Sequence, residues 1–176
     1  MAKRSRKKSD IAMIVNILVI VFAVLTLCTL FIPVIKVTGA LTDGVYSVKG
    51  ADCFTAAFAS EVPDGNASIL YALKTAEDYS FVTTVYLWAY MITVFVAAAA
   101  GVFAVLNLCG MRFKLVNTIL GVCLLVLALV TIIFAFIVGG DASNLLAYKN
   151  GRAAIGTYML ILTLCAGCCE VYNARK

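Results

Sequence analysis

The sequence predicts an all-α membrane protein, a four-transmembrane-helix bundle with a small extracytoplasmic cap made of a β-hairpin and short helices. Four apolar stretches, Ile11–Ile35, Phe81–Cys109, Leu115–Val138 and Ala153–Cys169, make up more than half of the 176 residues. None of them contains Asp, Glu, Lys or Arg. A helix of about 20 such residues, and about 17 at the least, crosses the roughly 30 Å hydrocarbon core of a bilayer. Charged residues are 13% of the chain, about half the roughly 25% of soluble domains. Four spans and their links leave room for a single domain, residues 1–176, with its cap at about 36–80.

The chain opens on a basic tail with Lys3, Arg4, Arg6, Lys7 and Lys8. Arg112 and Lys114 lie between the second and third stretches, and Arg175 and Lys176 end the chain. Against Asp10 and Glu170, these segments carry +7. The remaining links hold Lys36, Lys49, Lys74, Lys149 and Arg152 against seven acids, for −2. Excess Lys and Arg marks the cytoplasmic side, so both termini are expected in the cytoplasm of a multi-pass plasma-membrane protein. The tail then reads as a topology determinant that touches anionic lipid. The net charge of +5, split in this way, argues against nucleic acid as a partner. The first stretch exceeds the 7 to 15 apolar residues of a cleaved signal peptide and reads as a signal anchor.

The cap follows. Val34–Thr38 and Val45–Gly50 alternate and are rich in β-branched residues, with the turn pair Asp43-Gly44 between them, which predicts a β-hairpin emerging from the first span. Pro33 marks the change from helix to strand. Ala51, Phe54, Ala57 and Phe58 recur at helical spacing and predict a short helix over Ala51–Ser60. Its apolar underside is expected to bury Phe54 and Phe58 against the bundle. Pro63-Asp64-Gly65 signals a turn. Asn66 or Ser68 is then expected to cap a helix in which Ile69, Leu70, Leu73 and Ala76 share a face. Tyr79, Phe81, Tyr86, Trp88 and Tyr90 open the second span as an interfacial aromatic belt, a sugar- or lipid-stacking surface being the alternative. The small run Ala97–Gly101 permits close helix contact. The link Gly110–Lys114 makes spans two and three an antiparallel hairpin.

Candidate chemistry is sparse. Among seven cysteines only Cys53 lies in the outer segment; a free, buried thiol beside Phe54 is expected, an intermolecular bridge being the alternative. Cys165-Ala166-Gly167-Cys168 has the C-x-x-C spacing, but the chain has no histidine to complete a structural zinc site. Small-residue packing is its default reading, with a redox pair or S-acylation of Cys168 or Cys169 as alternatives. Asn66-Ala67-Ser68 is a glycosylation sequon. No catalytic, cofactor-binding or metal-binding residues are assigned. Within the spans the polar groups are Asn16, Asn107, Asn117 and several threonines. No ionisable group lies there, so charge-coupled transport loses support.

The layout of inner N-terminus, span, long outer segment beginning with a strand, and three closely linked spans resembles the claudin and peripheral-myelin tetraspan group. The resemblance implies an antiparallel sheet over a four-helix bundle and a role in adhesion or partner contact. The group's tryptophan, Gly-Leu-Trp and cysteine pair are absent here, where Gly50-Ala51-Asp52 precedes the lone Cys53. Phe31-Ile32-Pro33-Val34 with glycine-bounded strands also resembles small four-span proteins of Gram-positive bacteria. The expected function is non-enzymatic: an accessory or interaction subunit that meets lipid and a protein partner, or a second copy, through Phe54, Phe58, Tyr79, Trp88 and Gly101. The alternative is a small oligomeric channel or transporter for an uncharged or lipidic solute.

Overall fold

The computed structural model describes residues 2–39, 44–111, 113–144 and 148–175, with the side chains of 2–9, 148 and 149 outside the description. Four helices are long and apolar enough to cross a membrane: α1 (Ala2–Cys28), α4 (Ser80–Leu108), α5 (Lys114–Asp141) and α6 (Ile155–Ala174). Each packs against two others, α1 on α4 and α6, α5 on α4 and α6, so they form a ring. Between α1 and α4 lie strands β1 (Pro33–Gly39) and β2 (Val45–Lys49) and helices α2 (Gly50–Phe58) and α3 (Ala67–Thr75). A third strand, β3 (Tyr148–Ala153), lies between α5 and α6. The sheet closes one end of the ring, and both chain termini reach the other. Asp43 and the side chains of Lys3, Arg4, Arg6, Lys7, Lys8, Arg112, Lys149 and Lys176 lie outside the described residues.

The boundaries depart from the apolar stretches for local reasons. α1 stops at Cys28 rather than Ile35. The N–H groups of Thr29, Leu30 and Phe31 each bond to the carbonyl three residues back, at 3.1 Å, which tightens the last turn. Pro33 then lacks the N–H a helix needs and starts β1. At the other end, α5 runs through Gly139 and Gly140 to Asp141. Strand β3 lies directly on Gly139, where a methyl group would come within 2.9 Å of the Ala153 nitrogen.

The sheet has order β2-β1-β3, antiparallel throughout. The expected hairpin is therefore present, but its first strand is central and β3 completes the sheet. Ile35 sits opposite Val48 on one side and Ala153 on the other. Ile35, Val37 and Val48 are buried, along with Cys53 and Ala56 of α2, Leu70 and Leu73 of α3, and Tyr86 and Tyr90 of α4. Each large aliphatic side chain so buried contributes about 1.5–3 kcal/mol. One cluster thus unites sheet, cap helices and bundle. A second apolar cluster, Val19, Ala97, Ala100, Ala104, Leu124 and Ala166, fills the bundle toward the termini.

Short-range polar contacts hold the cap. Asp52 accepts the Lys49 N–H at 2.7 Å, at the start of α2. Lys74 Nζ on α3 donates to the carbonyls of Ala56 and Ala57, at 3.1 and 2.8 Å. A cation thereby meets the carbonyl end of α2, where the helix dipole is negative. Asn66 immediately precedes α3 but makes no side-chain cap; its Nδ2 donates instead to the Ser47 carbonyl on β2, at 2.9 Å.

The long helices are apolar outside and partly polar inside. On α5, Leu115, Ile119, Val122, Val126, Leu129 and Ile133 are exposed, whereas Asn117 and Thr131 are buried. This inverts the amphipathic pattern of a water-soluble bundle and leaves an apolar exterior of the kind that meets lipid.

Candidate functional site

The expected partner residues divide into one surface group and two residues set apart from it. Phe54 and Phe58 are one helical turn apart on α2, which lies along α4. The Phe54 ring meets Tyr90 and Phe95 edge-on, at centroid distances of 6.3 and 6.0 Å. Phe58 meets Trp88 edge-on at 5.8 Å. Both distances and angles fit the favoured geometry of aromatic pairs. Phe54 is half-buried, but Phe58 is 69% exposed, which corrects the expectation that it is buried. The face of α2 turned inward carries Cys53 and Ala56 instead. Tyr79 is half-buried and packs on the sheet-end core. Gly101 lies 13 residues along α4 from Trp88, about 20 Å at 1.5 Å per residue. A methyl group on Gly101 would sit 3.0 Å from the Ala23 Cβ of α1, so its small size serves contact within the bundle.

The surface group is larger than the expected pair. Phe81, Trp88, Ile92 and Phe95 recur at helical spacing along α4 and are all exposed. With Phe58 they form an aromatic ledge where the cap joins the bundle.

A polar layer occupies the opposite end. One turn beyond Val19, Ala104, Leu120 and Ala166, each helix carries a polar side chain: Asn16, Asn107, Asn117 and Glu170 respectively. Asn173 Nδ2 on α6 donates to Asn16 Oδ1 on α1 at 2.8 Å. Among the described residues, Asn107 Nδ2, Asn117 Oδ1 and both Glu170 carboxylate oxygens are buried without hydrogen-bond partners. Glu170 is 0% exposed. By sequence the fourth apolar stretch ends at Cys169, with Glu170 among the flanking charges. α6 continues to Ala174, so Glu170 lies inside the last long apolar helix, four residues from its end. The terminal Glu-Val-Tyr-Asn run, which keeps helical spacing beyond the apolar stretch, was the available signal.

The thiol of Cys53 is buried and donates weakly to the Tyr86 hydroxyl oxygen at 3.8 Å. Burial pushes its pKa from 9.0 up to about 12, which suppresses the nucleophilic thiolate. Cys165 and Cys168 are free thiols on the exposed side of α6. Among the described residues no three His, Cys, Asp or Glu side chains converge as a metal site.

Compared with protein-family models, curated proteins and solved structures, the chain matches none. No match supports the claudin and peripheral-myelin resemblance; what the structure has is four apolar helices and a small sheet. The sheet draws its third strand from the link between α5 and α6.

Proposed function

We propose that the chain is a multi-pass plasma-membrane protein with cytoplasmic termini and an extracytoplasmic sheet end. It acts by contact, as an accessory or interaction subunit. The charge split of the sequence supports the orientation, and the apolar exterior of the four helices supports the bilayer. The single observation that carries the contact role is the aromatic ledge. Phe58, Trp88 and Phe95 are 69%, 48% and 66% exposed at the junction of cap and bundle, and aromatic residues are enriched at interface anchors. Close packing of the bundle axis agrees with a scaffold. Methyl groups on Gly121 of α5 or Gly167 of α6 would each approach the other's carbonyl oxygen to 2.9 Å. The test is photo-crosslinking from Phe58 in native membranes.

A second reading, a small oligomeric channel or transporter, is favoured by Glu170 and the unpartnered amide groups beside it in the layer. Buried ionisable groups within spans usually mark a path or a partner. Protein-dependent flux in liposomes that disappears in Glu170→Gln would support this reading over the first.

A further inference from the structure

We propose that Lys36 and Arg152 form a binding site for the phosphate group of an anionic phospholipid at the sheet end of the bundle. The two residues face each other directly across the antiparallel β1–β3 pair. Residues so paired project from the same face with Cβ atoms about 4.5–5.5 Å apart, where like charges repel. Both line one groove of about 330 Å³ with Ala153, Ala154, Ile155 and Tyr158, and no acid is among the lining residues. Among the described residues, the groove lining therefore offers the pair no counter-charge. The groove also takes in the start of α6, where Ala154 provides no side-chain cap. A 20-residue helix adds partial positive charge at that point.

The walls select an amphiphile over a free anion. Ile155 and Tyr158, 63% and 52% exposed, continue the groove down α6. Phe136 of α5 packs edge-on against Tyr158 at 5.8 Å, and Ile161 extends the exposed apolar track one turn further. An acyl chain laid on this track places its phosphate between the two cations. The site rests on the bilayer placement of α6 and is independent of the contact role of the ledge.

The test uses the full chain in neutral detergent and counts retained lipids by native mass spectrometry. Three probes are titrated: phosphatidylglycerol, zwitterionic phosphatidylcholine and inorganic phosphate. Phosphatidylglycerol is expected to bind at least tenfold more tightly than phosphatidylcholine, with affinity falling as salt rises. Lys36→Gln/Arg152→Gln is expected to abolish that preference, while Lys49→Gln, an exposed cation on β2, keeps it. Lipid-free, the double variant is expected to melt no lower than the native protein, since it removes a repulsive pair. Equal binding of the two lipids, or undiminished binding by the double variant, would overturn the site. Binding of inorganic phosphate as tight as that of phosphatidylglycerol would overturn the lipid assignment. A double variant that melts well below the native protein would make the pair structural and also overturn the proposal.

Discussion

The hydroxyl oxygens of Thr26 on α1 and Thr163 on α6 lie 2.7 Å apart in the buried interior. Thr26 donates its proton to the Phe22 carbonyl at 2.9 Å, so Thr163 is the donor between the two. Thr163→Val leaves Thr26 its bond to Phe22 and is expected to cost about 0.6 kcal/mol, and no more than about 1.7. Thr26→Val strands the Thr163 hydroxyl and is expected to cost more, about 1–3 kcal/mol. Denaturation of both variants in detergent checks the order, and the reverse ranking contradicts the donor assignment.

Cys53 gives a reactivity prediction. Its pKa of about 12, raised from 9.0 by burial, lowers the thiolate fraction about a thousandfold below that of an ordinary cysteine near neutral pH. With Cys53 as the only cysteine, maleimide labelling of the folded protein at pH 8 is expected to be slower by at least two orders of magnitude than labelling of Ser60→Cys. The native thiol binds its proton more tightly than the unfolded one. This stability contribution is present below pH 9 and is lost as pH rises toward 12.

Glu170 makes a prediction with the opposite sign to most core substitutions. Among the described residues it has no hydrogen-bond partner, and it is buried; a neutral isostere removes the cost of burying a carboxylate left uncompensated there. Glu170→Gln is expected to melt at or above the native temperature. A fall of more than about 4 °C, equivalent to about 1 kcal/mol or more in a chain of this size, would show that the carboxylate has an ionic partner.

The orientation is checked by single cysteines in a cysteine-free background. A cysteine at Gly110, in the link between α4 and α5, is expected to resist impermeant thiol reagents in intact cells, while Ser60→Cys labels. Equal labelling at the two positions contradicts cytoplasmic termini.

Much of the fold was legible because single-helix and hairpin signals are local. The number of long apolar helices follows from uninterrupted apolar length, and the strands on either side of the Asp43-Gly44 pair are marked by alternation. β3 was not legible. Tyr148–Ala153 contains Asn150-Gly151, and Asn150 adopts a left-handed φ of 53°, a pattern that reads as a turn. The segment is a strand because β1 offers it an edge and Gly139 offers it space. Phe58 was misplaced for a related reason. Helical spacing puts Phe54 and Phe58 on one side of α2, but the tight contact with the core admits Cys53 and Ala56, leaving the larger rings at the rim. The pairing of Lys36 with Arg152 arises across about 115 residues of chain, from a register that only the folded sheet defines.

The central claim is that the ledge is a contact surface for a protein partner. A photo-crosslinking amino acid at Phe58 tests it most directly, with Val122 on the apolar exterior of α5 as the control, in membranes of the native host. The account predicts discrete protein adducts from Phe58 that are lost when Trp88 is changed to Ala, and only lipid adducts from Val122. Lipid adducts alone from both positions would contradict it.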